Sequence, residues 1–75
     1  MKELVEVIAK ALVDNPEAVV VDEKHEEQQT VLSLHVAEDD MGKVIGRQGR
    51  IAKAMRTLVK ATATLENTKV TVEII

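Results

Sequence analysis

Residues 40–59 read DMGKVIGRQGRIAKAMRTLV, with two glycines three positions apart, five cations and no acid after Asp40. Ile51, Met55, Leu58 and Val59, continued by Thr62, recur at helical spacing, so a helix is expected from near Gly49 with these residues as its core stripe. At about 100° per residue, Arg50, Lys53, Arg56 and Lys60 fall on the opposite side as one exposed basic row. Upstream, Glu38, Asp39 and Asp40 suit the first turn of a short helix, where carboxylates meet the positive end of the dipole. That helix is expected to run to about Ile45 and stop at Gly46. Gly46-Arg47-Gln48-Gly49 is then a turn between two helices. Gly46 can take the left-handed conformation that ends the first, and Gly49 lets another molecule approach the chain closely. Unpaired N–H groups where the second helix starts, together with its dipole, form an expected anion site. A phosphate placed there meets Arg47, Arg50 and Lys43.

Outward from this core the pattern is equally regular. Leu4, Val5, Ile8, Ala11 and Leu12 predict an amphipathic helix over residues 2–13, ended by the turn Asp14-Asn15-Pro16. The valine run from Ala18 to Asp22 reads as a strand. From Gln29 to Val36, Leu32, Leu34 and Val36 alternate with Val31, Ser33 and His35, which reads as a second strand. The polar tract Lys24–Gln28 between them is the expected hairpin loop. Lys69 to Ile75 alternates again, with Val70, Val72 and Ile74 on one side, and closes the chain as a third strand. The fold class is therefore α+β, in the order α-β-β-α-α-β, with a three-stranded sheet and helices packed on one face.

Composition narrows the chemistry. The 75 residues fit one domain over residues 1–75, with an aliphatic core, since the sequence has no Phe, Trp, Tyr or Cys. Without cysteine there is no disulfide, no thiolate metal site and no Cys nucleophile, which fits a reducing cytoplasm. No apolar run approaches the roughly 20 residues of a membrane span, and Glu3 and Glu6 interrupt the apolar run a signal peptide needs. Net charge is −3 overall, but residues 1–40 carry −8 and residues 41–65 carry +6 with no acid among them. One region attracts anions, and the rest repels them.

Two glycines at this spacing arise by chance about 0.3 times in such a chain, so their setting carries the inference. VIGRQG, following an apolar pair and opening a basic amphipathic helix within this element order, resembles a KH domain, the RNA-binding module whose GxxG loop clamps about four nucleotides. With the extra helix first, the order resembles the type II KH fold. DMGKVIGRQGRIAKAMRTLV is similar to the small stand-alone bacterial KH proteins of the KhpA family, and the likeness spans essentially the whole chain. It departs from the commonest KH pattern by placing Ile51, not Ala52, as the large apolar residue after the loop, and by having only one cation in the pair Arg47-Gln48.

The resemblance implies a single RNA strand lying across the loop, its bases in a groove between the helix pair and the neighbouring sheet edge. The implied RNA-binding residues are Lys43, Val44, Ile45, Gly46, Arg47, Gln48, Gly49, Arg50, Ile51 and Lys53, with Val44, Ile45 and Ile51 walling the bases and Arg50 and Lys53 following the phosphates. It also implies a homodimer, or a heterodimer with a larger KH-containing RNA-binding protein, acting as a post-transcriptional regulator or RNA chaperone. Having no aromatic platform, a lone copy is expected to bind weakly.

No catalytic constellation, metal set or cofactor motif accompanies the loop. His25 and His35 lack spaced ligand partners and read as surface residues. Asp39 and Asp40, as neighbours, point in different directions and read as helix-start residues. GRQGR lacks the G-x-x-x-x-G-K-[ST] spacing of a P-loop. A membrane or a small-molecule substrate is not expected as a partner. The rival expectation is a protein-interaction, dimerisation module in which nucleic-acid binding is incidental.

Overall fold

The computed structural model describes residues 1–75. Helix α1 spans Lys2–Leu12, strands β1 and β2 span Val20–His25 and Thr30–His35, helix α2 spans Met41–Ile45, helix α3 spans Arg50–Leu65 and strand β3 spans Val70–Ile74. Single 3-10 turns at Pro16–Ala18, Glu38–Asp40 and Arg47–Gly49 join them. The sheet order is β1-β2-β3, antiparallel between β1 and β2 and parallel between β2 and β3. A parallel neighbour requires a crossover, and α2 with α3 supplies it. The expected order α-β-β-α-α-β is the observed one, and the mixed sheet is that of a type II KH fold.

Alternation along the strands sets the core. Val21, Leu32, Leu34 and Val72 turn inward and meet Val5 and Ala9 of α1, Val44 of α2, and Met55 and Val59 of α3. Each of the valine, leucine and methionine side chains, taken out of water, contributes about 1.5–3 kcal/mol.

Two expectations are corrected. β1 begins later and runs further than the valine run indicated: Ala18 lies in the preceding turn, whereas Lys24 and His25, expected in the loop, are paired strand residues opposite Val31 and Thr30. Cross-strand partners explain the extension, since His25 Nδ1 lies 3.3 Å from the Thr30 hydroxyl and Glu26 N–H closes the loop on the Gln29 carbonyl at 2.7 Å. On α3 the buried stripe is Ala52, Met55, Val59 and Ala63, and Leu58 is 46% exposed. Two alanines facing inward let the helix axis lie close to the sheet, and the larger Leu58 stands one step around the helix, outside the contact.

Asp40, expected only as a helix-start residue, is structural. It is the one buried charged residue, 2% exposed. Its carboxylate accepts the Asp14 N–H at 3.2 Å and the Asn15 N–H at 3.0 Å, tying the turn after α1 to the start of α2. Lys43, one turn on, lies 3.6 Å from the same carboxylate and is also bonded to Asp14. Burial alone pushes the Asp40 pKa up, but the two backbone bonds and the Lys43 charge together outweigh it and hold the carboxyl below its ordinary value. On Lys43 the Asp14 bond acts most strongly and raises the pKa against partial desolvation.

Gly46 carries a steric constraint of its own. Its φ is +77°, and a β-carbon there would lie 2.5, 2.8 and 2.9 Å from three atoms of the Ile51 side chain. Ile51 is therefore laid directly against the glycine backbone, drawing the start of α3 onto the end of α2. Gly49 also has positive φ, +73°, but a β-carbon there would meet nothing within 4 Å.

These observations make two predictions. Gly46→Ala should lose about 2–4 kcal/mol of stability in urea unfolding, combining backbone strain with overpacking, whereas Gly49→Ala should lose about 1 kcal/mol from strain alone; equal losses would contradict the packing described. Because the folded pKa of Asp40 is depressed, its contribution is present above the ordinary value of 3.8 and is lost as pH falls through the lower, folded value. Urea midpoints of Asp40→Asn measured across this acid range should therefore fall less steeply than those of the wild type, and parallel curves would refute the assignment.

Candidate nucleic-acid interface

The glycine turn stands at the surface between α2 and α3, with Arg47 and Gln48 exposed and both glycines half-buried. Its backbone departs from the expectation of a bare helix start. Gly46 N–H donates to the Gly42 carbonyl at 2.8 Å, Gly49 N–H to the Gly46 carbonyl at 3.1 Å, and Arg50 N–H to the Arg47 carbonyl. The turn closes on itself as one 3-10 turn, so three of its amides are already used. Arg47 and Gln48 are different: the helix ahead of them has ended, and their N–H groups have no backbone acceptor. Gln48 holds φ at +58°, a left-handed conformation uncommon for a side chain of its kind. Two adjacent free N–H groups on a protruding turn form a small anion cradle.

The surrounding charges favour the same ligand. Arg47, Arg50, Lys53, Arg56 and Lys60 are all exposed, and none pairs with a carboxylate. Arg50 reaches the Gln48 side-chain oxygen at 3.4 Å, which keeps its guanidinium beside the turn. The expected basic row is exposed but divided: Arg50 and Lys53 line the outer face of α3, whereas Arg56 and Lys60 line its side toward β3, where Arg56 Nε donates to the Val72 carbonyl at 3.3 Å.

Three of the expected contact residues have other surroundings. Val44 is 0% exposed and belongs to the hydrophobic core, so it cannot wall a bound base; it anchors α2 beneath the turn. Lys43 has its ammonium engaged by Asp14 and Asp40 and is not a free cation. Ile51 is half-buried against Gly46. Ile45, 37% exposed, remains an accessible aliphatic surface. Gly46, Arg47, Gln48, Gly49 and Arg50 are consecutive, Lys53 follows about one turn on along α3, and the four polar side chains among them are exposed.

Two depressions flank α3. A groove of about 520 Å³ runs between α3 and β3, with Arg56, Lys60 and Thr64 on one wall and Val70, Thr71 and Val72 on the other. A shallower one of about 540 Å³ lies on the outer face of α3, where Ala54, Thr57, Leu58 and Ala61 follow Arg50 and Lys53. The first lies between α3 and a sheet edge, where the resemblance implies a groove; the second was not explicit in the sequence, because it depends on how α3 is rotated over the sheet.

The family model described as "KhpA/KhpB, KH domain" matches residues 2–74. The chain is 65% identical to the RNA-binding protein KhpA of Clostridium perfringens and 64% identical to that of Caldanaerobacter subterraneus, each over the full length of both chains. To the KhpA of Listeria monocytogenes it is 48% identical over 75 residues, covering 99% of that protein. No solved structure matches the chain. With the helix-turn-helix, the mixed sheet and the glycine turn all in place over the matched span, the chain belongs to the KhpA/KhpB family of KH domains.

Proposed function

We propose that the protein binds single-stranded RNA through the turn Gly46–Arg50 and acts without catalysis, as a post-transcriptional regulator or RNA chaperone in the cytoplasm. The observation that carries this reading is the pair of free N–H groups at Arg47 and Gln48, on an exposed turn ringed by unpaired cations. A phosphate oxygen accepts from both amides while Arg47 and Arg50 neutralise its charge. Lys53 extends the phosphate track along α3, and the bases fall toward Ile45 and the α3–β3 groove. The names of the relatives support RNA as the nucleic acid.

The same surface limits affinity. No aromatic ring is present to stack on a base, and each stack is worth about 1–3 kcal/mol in single-strand binders. Few contacts remain, so pairing with a second copy, or with a larger KH-containing protein, raises effective affinity by linking weak sites. One observation favours the outer face of α3 as the contact. Leu58 is 46% exposed and Leu65 88% exposed, with Ala54 and Ala61 leaving space for a partner helix.

Arg47→Asp combined with Gln48→Asp should leave the thermal transition in place and abolish ultraviolet crosslinking to single-stranded RNA; undiminished crosslinking would refute the loop as the contact. Wild-type binding should weaken with salt at a logarithmic slope of about −2, as three phosphate contacts require. A flat salt response would favour a docking role in which RNA is incidental. For association, Leu58→Lys should sediment as a monomer at concentrations where the wild type is dimeric, and an unchanged dimer would exclude this face.

A further inference from the structure

Lys43 is the one cation on α2. Gly46 N–H donates to the Gly42 carbonyl, so Lys43 lies within the helical turn that ends at the glycine, about 4.5 Å along the axis from Gly46. A flexible four-carbon stem is long enough to cover that rise. The two carboxylates that hold the ammonium differ in kind. The Asp40 side chain is 3% exposed, already accepts the Asp14 and Asn15 N–H groups, and at 3.6 Å from Lys43 Nζ acts on it by charge rather than by a hydrogen bond. The Asp14 side chain is 83% exposed, and the Lys43 ammonium is its only polar partner. Asp14 is tied to the scaffold through its backbone N–H, so its carboxylate is not what fastens the turn after α1 to α2.

Resting on the RNA-binding reading above, we infer that the Asp14 carboxylate is an autoinhibitory contact, which withholds Lys43 from the phosphate backbone and leaves the turn with Arg47, Arg50 and Lys53 alone. Carboxylate and phosphate are rival acceptors for one ammonium. The carboxylate belongs to the same chain and is always at hand, whereas the phosphate must arrive from solution. An exposed ion pair contributes little net free energy, because both ions keep much of their water. An equally exposed contact between Lys43 and a phosphate gains no more, so exchanging one for the other brings no affinity. Removing the Asp14 carboxylate changes this balance: Asp40 keeps its two backbone donors, Lys43 loses its hydrogen-bonded partner, and the site acquires a fourth cation without any added residue.

The test is fluorescence anisotropy with a short labelled single-stranded RNA of mixed sequence, followed across a salt series, on the wild type, Asp14→Asn, Lys43→Gln, the double variant and Glu17→Gln. Asp14→Asn should bind about two- to fivefold more tightly than the wild type. Its logarithmic salt slope should steepen by about 0.7, the signature of one added phosphate contact. Glu17 is exposed in the next turn of chain and has no ion-pair partner, so Glu17→Gln removes an equal charge and should keep the wild-type slope. Lys43→Gln should bind nearly as the wild type does, and it should abolish the gain when combined with Asp14→Asn. The comparison of Asp14→Asn with Glu17→Gln decides the matter even where a lysine variant folds poorly. A wild-type slope in Asp14→Asn, equal steepening in Glu17→Gln, or a gain that persists in a folded double variant overturns the inference and leaves RNA binding standing. A wild type that does not bind the RNA overturns the RNA-binding reading and the inference with it.

Discussion

The contact on which the rest depends is the one between Ile51 and the bare backbone of Gly46. With no side chain on the glycine, Ile51 lies against the chain itself, and α3 starts beside the end of α2. The segment between them must then bulge outward in a single 3-10 turn, which leaves the Arg47 and Gln48 amides pointing away from any acceptor. The exposed turn is thus a consequence of a packing requirement in a small core. A glycine is needed at Gly46 for volume and for φ, whereas Gly49 is needed only for φ and keeps open space above it.

Charge distribution builds on that geometry. The first forty residues are strongly acidic and residues 41–65 purely basic. A net charge of −3 therefore coexists with a local positive field around the turn, which draws a polyanion to one side of the molecule and orients it. Where the two regions meet, Lys43 bridges the Asp14 and Asp40 carboxylates and, with the backbone bonds to Asp40, locks α2 to the turn after α1. One cation near the turn is given to holding the scaffold, and the others remain free for a ligand.

Most of the architecture was legible because the core is simple. Period-two alternation in Leu32, Leu34 and Val72 and helical spacing in Val5 and Met55 needed no tertiary information to interpret. What escaped were features set by a neighbour. β1 extends through Lys24 and His25 because β2 is there to pair with them, and nothing in their own polarity indicates a strand. Leu58 reads as inward from its apolarity, yet Ala52 and Ala63 fit the close approach of α3 and take the inward positions. Val44 and Lys43 sit next to the loop in sequence, but burial took one and two carboxylates took the other. At the site itself, glycine spacing and the basic row were readable. The count of free amides was not, because a 3-10 closure that uses Gly49 and Arg50 depends on backbone angles no composition encodes.

Backbone amide resonances report directly on whether the free N–H groups at the turn receive a phosphate. In a two-dimensional ¹⁵N–¹H titration with a short single-stranded RNA, the Arg47 and Gln48 amides should shift most, to lower field as they gain an acceptor, with Gly46, Gly49 and Arg50 following. Unmoved Arg47 and Gln48 resonances, with the changes gathered on the Ala54–Leu58 face of α3 instead, would contradict it.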